Sequence, residues 1–351
     1  MENRPLGAGI PQPPEVERGW AKSRLRAMNN RASLLPILMQ VFALPVSLVL
    51  VFAWIFAHAE TVRSLLQRGG AKGLVQYFYG NGGLVILLTI LATCGAMAVT
   101  VLAAKPMLKQ KIFGAWKKPR CGPGVLFAGM ALLLGAAGAG SLVVNLLTLL
   151  LKQAGAQITA PDFSLSGDRT ADLILAAYVC LIGPVLEETL FRGMILQSLR
   201  PWGDWFAIVA SSVLFGMFHL NLVQAIPAAL MGLVLGFAAV EAESVLPAVL
   251  LHIFNNSLSM AVMAAGADEN RAVQVLYGAV VAAAVIVSAL LIAAKHGEVS
   301  KIMARPASAP PVAHKYAVFF FQSAAFWVLA AFFCFYSLFA AKIASGLLHR
   351  F

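Results

Sequence analysis

Between residues 183 and 256, two carboxylates, a guanidinium, two imidazoles and a carboxamide stand on three apolar segments. The first segment carries Gly183-Pro184, then Glu187-Glu188 and Arg192. The second carries Phe215 and His219, and the third His252 and Asn256. Ionisable side chains at membrane depth are costly and therefore functional candidates by default. Glu188 and Arg192 are four residues apart, so on a helix they share a face and can neutralise each other. Glu187 points about 100° away from Glu188 and has no comparable partner in its own segment. That leaves it available as a general base. Two neighbouring carboxylates can thus divide the work, one structural and one chemical.

His219 and His252 lie on different segments and must meet in space to act together. Each has a companion on the same helical face, Phe215 for His219 and Asn256 for His252. Asn256 can orient the imidazole or donate to a developing oxyanion. Glu187, His219 and His252 could also hold a zinc ion with one open position. They could equally polarise a substrate without any metal, and the residues alone leave both readings open. Gly183-Pro184, one turn before the carboxylates, should bend or loosen the helix and admit the water that hydrolysis needs.

These residues need a scaffold, and the composition says which kind. Of 351 residues, 60% are hydrophobic and 12% charged, with a mean hydropathy of +0.82. A soluble domain would carry about 25% charged residues. Repeated apolar runs of about 20 residues therefore read as membrane spans. The fold class is all-α, a polytopic membrane helix bundle.

Nine spans are expected, near residues 34–58, 84–104, 125–151, 171–196, 205–220, 225–240, 245–265, 272–294 and 316–344. Spans five to seven are closely spaced, which leaves a count of eight open. Four regions follow. Residues 1–33 form a polar cytoplasmic tail, whose stretch 15–28 could lie on the membrane as a short basic helix. Residues 34–170 hold the first three spans, 171–266 a catalytic bundle of four, and 267–351 the last two. Gly135, Gly138 and Gly140 on the third span permit close helix packing.

The net charge of +11 would suggest nucleic acid only if its distribution were ignored. Six Lys/Arg precede residue 34, six lie between Lys105 and Arg120, and four between Lys295 and Lys315. That alternation is the positive-inside pattern and places the N-terminus in the cytoplasm. Anionic lipid at the cytoplasmic face is the matching counter-charge. The four cysteines, Cys94, Cys121, Cys180 and Cys334, form no CxxC pair and read as small buried hydrophobes. His58, His296, His314 and His349, with Asp162, Asp168 and Asp268, read as solvated residues of loops and span ends.

Glu187-Glu188-xxx-Arg192, Phe215-xxx-His219 and His252-xxx-Asn256, in that order on separate apolar helices, resemble the signature motifs of the CPBP family. These are the type II CAAX prenyl endopeptidases and their bacterial bacteriocin-processing relatives, also called Abi proteins. The resemblance covers about residues 171–262. It implies a membrane protease, in a bacterial cell membrane if the bacteriocin-processing branch is the right one. It also implies roles. Glu187 activates the water, His219 and His252 hold it or a metal, Asn256 stabilises the oxyanion, and Glu188 and Arg192 support the site. Family members have been described both as metalloproteases and as metal-independent glutamate proteases. The implied substrate is a membrane-associated protein or peptide, prenylated or not. No His-Glu-xxx-His motif and no Gly-x-Gly-Asp motif competes. Two other classes fit the same polar residues, a proton-coupled transporter using them as a relay and a non-catalytic membrane immunity or regulatory protein.

Overall fold

The computed structural model describes residues 14–153, 168–266, 269–303 and 320–337. Among these residues all regular structure is helical. The helices are α1 (Pro14–Ala57), α2 (Ala59–Gly80), α3 (Gly82–Leu108), α4 (Gly124–Gln153) and α5 (Arg169–Trp202). They continue with α6 (Asp204–Phe218), α7 (Leu222–Glu241), α8 (Leu246–Ala264), α9 (Arg271–Ala294), α10 (His296–Met303) and α11 (Ala324–Phe335). Seven of them, α1, α3, α4, α5, α7, α8 and α9, are long and apolar enough to cross a membrane. Their outer faces expose Leu44, Phe52, Phe127, Leu142, Leu276 and Leu290, as lipid-facing surfaces do. The chain is a multi-pass membrane protein.

The fifth expected span is shorter than the rest. α6 has 15 residues, against about 20 for a full crossing, and the ninth span is described only in its middle, where α11 lies. α6 lies inside the bundle. Ala207, Ile208, Ser211, Leu214, Phe215 and Phe218 around its circumference are all buried, as expected of a helix that is apolar on every side. Its partners in the main core are Leu190, Phe191, Met194 and Ile195 of α5, Met97 and Val101 of α3, and Leu35 and Met39 of α1. A second cluster joins Leu133 of α4, Leu235 of α7 and Leu251 of α8.

The expected tail is not separate from the first span. α1 runs unbroken through residue 33, and Ala21 and Leu25 are buried against Trp202 at the end of α5. Ala21, Leu25, Ala32 and Leu35, recurring on one face, give this stretch a buried stripe. Lysines and arginines between those positions hid the stripe from a reading by composition. The expected external stretch after span one is helix α2, kinked at Gly70, whose φ is 58°. Trp54 and His58 at the end of α1 stack against each other at 4.8 Å, and Trp54 also packs on Phe78 at 5.0 Å. Asp168 is a helix cap, its Oδ1 accepting from the N–H groups of Thr170 and Ala171 at 2.8 and 3.1 Å. The readings of residues 1–13, Asp162, Asp268, His314, His349 and the two ends of span nine lie outside the described residues.

The glycine-rich third span packs as its small residues allow. A methyl group at Gly135 would overlap Ser288 of α9, and one at Gly140 would meet the Cα of Pro227 on α7 at 2.5 Å. α4 is thereby held against both α7 and α9.

Candidate active site

α5 holds both carboxylates, and it is not a regular helix. Two single-turn π bulges, Tyr178–Ile182 and Phe191–Ile195, bracket the turn that carries Glu187 and Glu188. Pro184 lacks an N–H, so the α ladder cannot run through it. At the first bulge the Gly183 N–H reaches back five residues to the Tyr178 carbonyl. That releases the carbonyl of Val179, which instead accepts from Asn256 Nδ2 at 2.9 Å. The second bulge repeats the device. The Leu196 N–H bonds to Phe191 O, and the released Arg192 carbonyl accepts from Gln197 Nε2 at 3.1 Å. Bulges of this kind concentrate at functional sites. Here they re-aim the side chains on either side of the Glu187 turn.

Glu188 and Arg192 are both fully buried and pair at 2.9 Å. The same oxygen, Glu188 Oε1, also accepts from His252 Nδ1 at 2.9 Å. Glu188 thus ties α5 to α8 and sets the tautomer of His252, because an ionised carboxylate can only accept. In the neutral imidazole Nε2 of His252 is then the acceptor, and it faces Glu187 Oε2 at 3.9 Å. Arg192 reaches a third helix through Nη2, which donates to Gly232 O on α7 at 3.2 Å. Glu188 Oε2 and Arg192 Nε are buried and have no protein partner among the described residues.

Phe215 sits among all these groups. The Arg192 guanidinium lies 4.4 Å from its ring centroid, a cation–π contact in a desolvated place. The rings of His219 and His252 meet it edge-on at 5.2 and 5.7 Å. The residue read from sequence as a companion of His219 is therefore the packing centre of all three motifs. His219 ends α6, and its carbonyl accepts from Asn221 Nδ2 at 2.8 Å. Asn221 also caps α7, its Oδ1 accepting from the Gln224 N–H at 2.9 Å. Asn221 was not singled out from sequence, although Asn221-x-x-Gln224 has the spacing of a capping box.

Tyr178 was also missed. A methyl at Gly183 would stand 3.6 Å from Glu187 Oε1 and 3.8 Å from Tyr178 Cε2, so the carboxylate and the phenol ring flank the same point. Only the bulge brings them together, and nothing in the residue spacing announces it. Glu187, half-buried, is the one carboxylate of the pair that reaches a surface. Among the described residues no three His, Cys, Asp or Glu side chains are placed to hold one ion. His252 Nδ1 is committed to Glu188, and His219 packs its ring against Phe215 and Phe218.

Residues 169–258 match the family described as Rce1-like, type II CAAX prenyl endopeptidase. This segment is similar to the type II CAAX prenyl endopeptidases. No curated protein matches the chain, and no solved structure does. The matched segment covers α5 to most of α8 and includes Glu187, Glu188, Arg192, His219, His252 and Asn256. The family supports intramembrane endopeptidase activity of the CAAX type in general. α1, α3, α4 and α11, which lie outside the segment, pack against it, and α9 packs on α4.

Proposed function

We propose that this chain hydrolyses a peptide bond of a membrane-associated protein or peptide with a water molecule activated by Glu187. The observation that carries the reading is the division of labour between the adjacent carboxylates. Glu188 is consumed by Arg192 and His252, whereas Glu187, among the described residues, pairs with the imidazole Nε2 alone, at 3.9 Å. A water between Glu187 and His252 Nε2 is held by two acceptors, and the carboxylate takes its proton as the oxygen attacks the carbonyl carbon. The tetrahedral oxyanion then draws on N–H and O–H donors around it. Candidates are the second N–H of Asn256 Nδ2, the His219 ring and the Tyr178 hydroxyl. Collapse breaks the C–N bond, and the protonated Glu187 returns its proton to the leaving amine. Each contact is strengthened by the water-poor bundle around it.

A zinc ion, if bound, would lower the pKa of its water and polarise the carbonyl. The substrate class remains a membrane-associated polypeptide, of which prenylated CAAX proteins and bacteriocin-type precursors are two examples. The test is cleavage of quenched fluorogenic peptides, some prenylated, by the purified chain in detergent. Wild type and Glu187→Gln run side by side, each with chelator and with added zinc. Cleavage that Glu187→Gln abolishes is the expected result. Cleavage retained in that variant would overturn the assignment. The chelator arm separates metal from glutamate chemistry.

A further inference from the structure

The segment joining α3 to α4, residues 109–123, is fastened to the turn joining α7 to α8. The Arg120 N–H donates to Ala242 O at 2.9 Å, the Val245 N–H donates to Ala115 O at 2.9 Å, and Ser244 Oγ donates to Lys117 O. Arg120 adds an ion pair with Glu243 at 2.7 Å. Beneath these bonds Ala115 and Trp116 pack against Val245, Val249, Val185 and Ile253. Val185 lies two residues before Glu187, and Ile253 follows His252. The segment therefore rests directly on the backbone that carries the general base and its imidazole partner.

Its outer surface has a different chemistry. Lys105, Lys109, Lys111, Lys117 and Lys118 are all exposed, and no side-chain ion pair engages them among the described residues. Between them Phe113 stands 70% exposed, its ring edge-on to Trp116 at 6.3 Å. The flanking helices expose Leu102 and Phe127 close to the segment, so its cations sit where a membrane-spanning helix leaves the hydrocarbon. Unpaired lysines around one exposed aromatic ring fit a surface that is negatively charged outside and apolar beneath. A water-soluble acidic partner would explain the lysines but not the exposed ring beside lipid-facing helix ends.

We propose that residues 105–120 form a binding site for anionic phospholipid headgroups, with Phe113 inserted among the acyl chains. Occupancy of this site steadies the α7–α8 turn and, through Trp116, the relative placement of Glu187 and His252. The lipid site stands without the protease reading. Its effect on cleavage rests on that reading.

The test uses the full chain in vesicles of phosphatidylcholine, with or without phosphatidylglycerol. Wild type is compared with Lys109→Gln/Lys111→Gln/Lys117→Gln and with Phe113→Ser. Association of spin-labelled phosphatidylglycerol with the protein is read first, and Glu187-dependent cleavage second. Wild type should hold the anionic lipid in preference to phosphatidylcholine, and high salt should erase that preference. Each lysine removed should weaken it on the order of fivefold, the weight of one basic side chain at an anionic surface. Cleavage by wild type should rise several-fold in the anionic vesicles and should not rise in the triple variant. Equal lipid association of wild type and triple variant would overturn the site, whatever the cleavage. Selective association without any cleavage would keep the lipid site and count against the protease reading instead. Selective association with cleavage indifferent to lipid would overturn the coupling alone.

Discussion

Glu188 Oε1 accepts from His252 Nδ1 at 2.9 Å although 64 residues separate the two in the chain. This bond joins the carboxylate motif to the last motif and leaves Nε2 of the imidazole facing Glu187. It makes Glu188 the anchor of two cationic or polar partners in a place that is fully buried.

Adjacent carboxylates should consequently respond differently to the same substitution. Glu188→Gln keeps the shape but removes the charge that Arg192 needs, and breaking one side of a buried pair costs about 3–5 kcal/mol. Thermal melting in detergent should fall by many degrees, and cleavage should be lost with it. Glu187→Gln should lose cleavage with melting essentially unchanged. Equal melting losses in the two variants would contradict the division of roles.

Gly232 is the point where α7 approaches the buried guanidinium. A methyl there would stand 2.9 Å from Ser212 Cβ and 3.0 Å from Arg192 Nη2. Gly232→Ala should push Arg192 out of its bond to the Gly232 carbonyl and cost about 1–3 kcal/mol, as overpacking does. Gly278→Ala on α9, where a methyl meets nothing within 4 Å, is the control and should melt like wild type. Indistinguishable melting of the two variants would show that the close approach at Gly232 does not hold Arg192 in place.

Phe215 carries the cation–π contact with Arg192 and the edge contacts with both histidines. Phe215→Leu should cost about 2 kcal/mol of stability, part of it the lost ring-specific interactions. Cleavage should fall at least tenfold. Phe326→Leu removes a similarly buried ring from the main core and should lower melting while leaving the rate per folded molecule alone. A matching loss of rate in both variants would show that Phe215 acts through stability only.

Tyr178→Phe keeps the ring beside Gly183 and removes the hydroxyl. Loss of a transition-state donor costs about 100-fold in kcat in other hydrolases, and a drop between tenfold and that value is expected, with little change in KM. A purely structural tyrosine would leave kcat in place, and steady-state kinetics on one peptide decides between the two.

Much of this protein is legible in the chain without coordinates. Hydropathy marks the long helices, because a continuous apolar run of about 20 residues satisfies its own backbone in lipid only by coiling into a helix. The four-residue spacing of Glu188 and Arg192 puts them on one face where they can pair, and the three motifs point to the family that residues 169–258 match. Local rules suffice for these features, since each concerns neighbours within one helix. What required the folded chain is everything that crosses between helices. Whether His252 would turn to Glu188 or to Glu187, and whether His219 would join them around an ion or pack on Phe215, depends on how α5, α6 and α8 are set side by side. The π bulges add a shift that no α-helical period anticipates. By moving one carbonyl out of register, the first bulge gives Asn256 its partner and brings Tyr178 beside Glu187. The burial of α1 below residue 33 was likewise hidden, because a stripe one residue wide among lysines and arginines becomes a core only when Trp202 arrives to cover it.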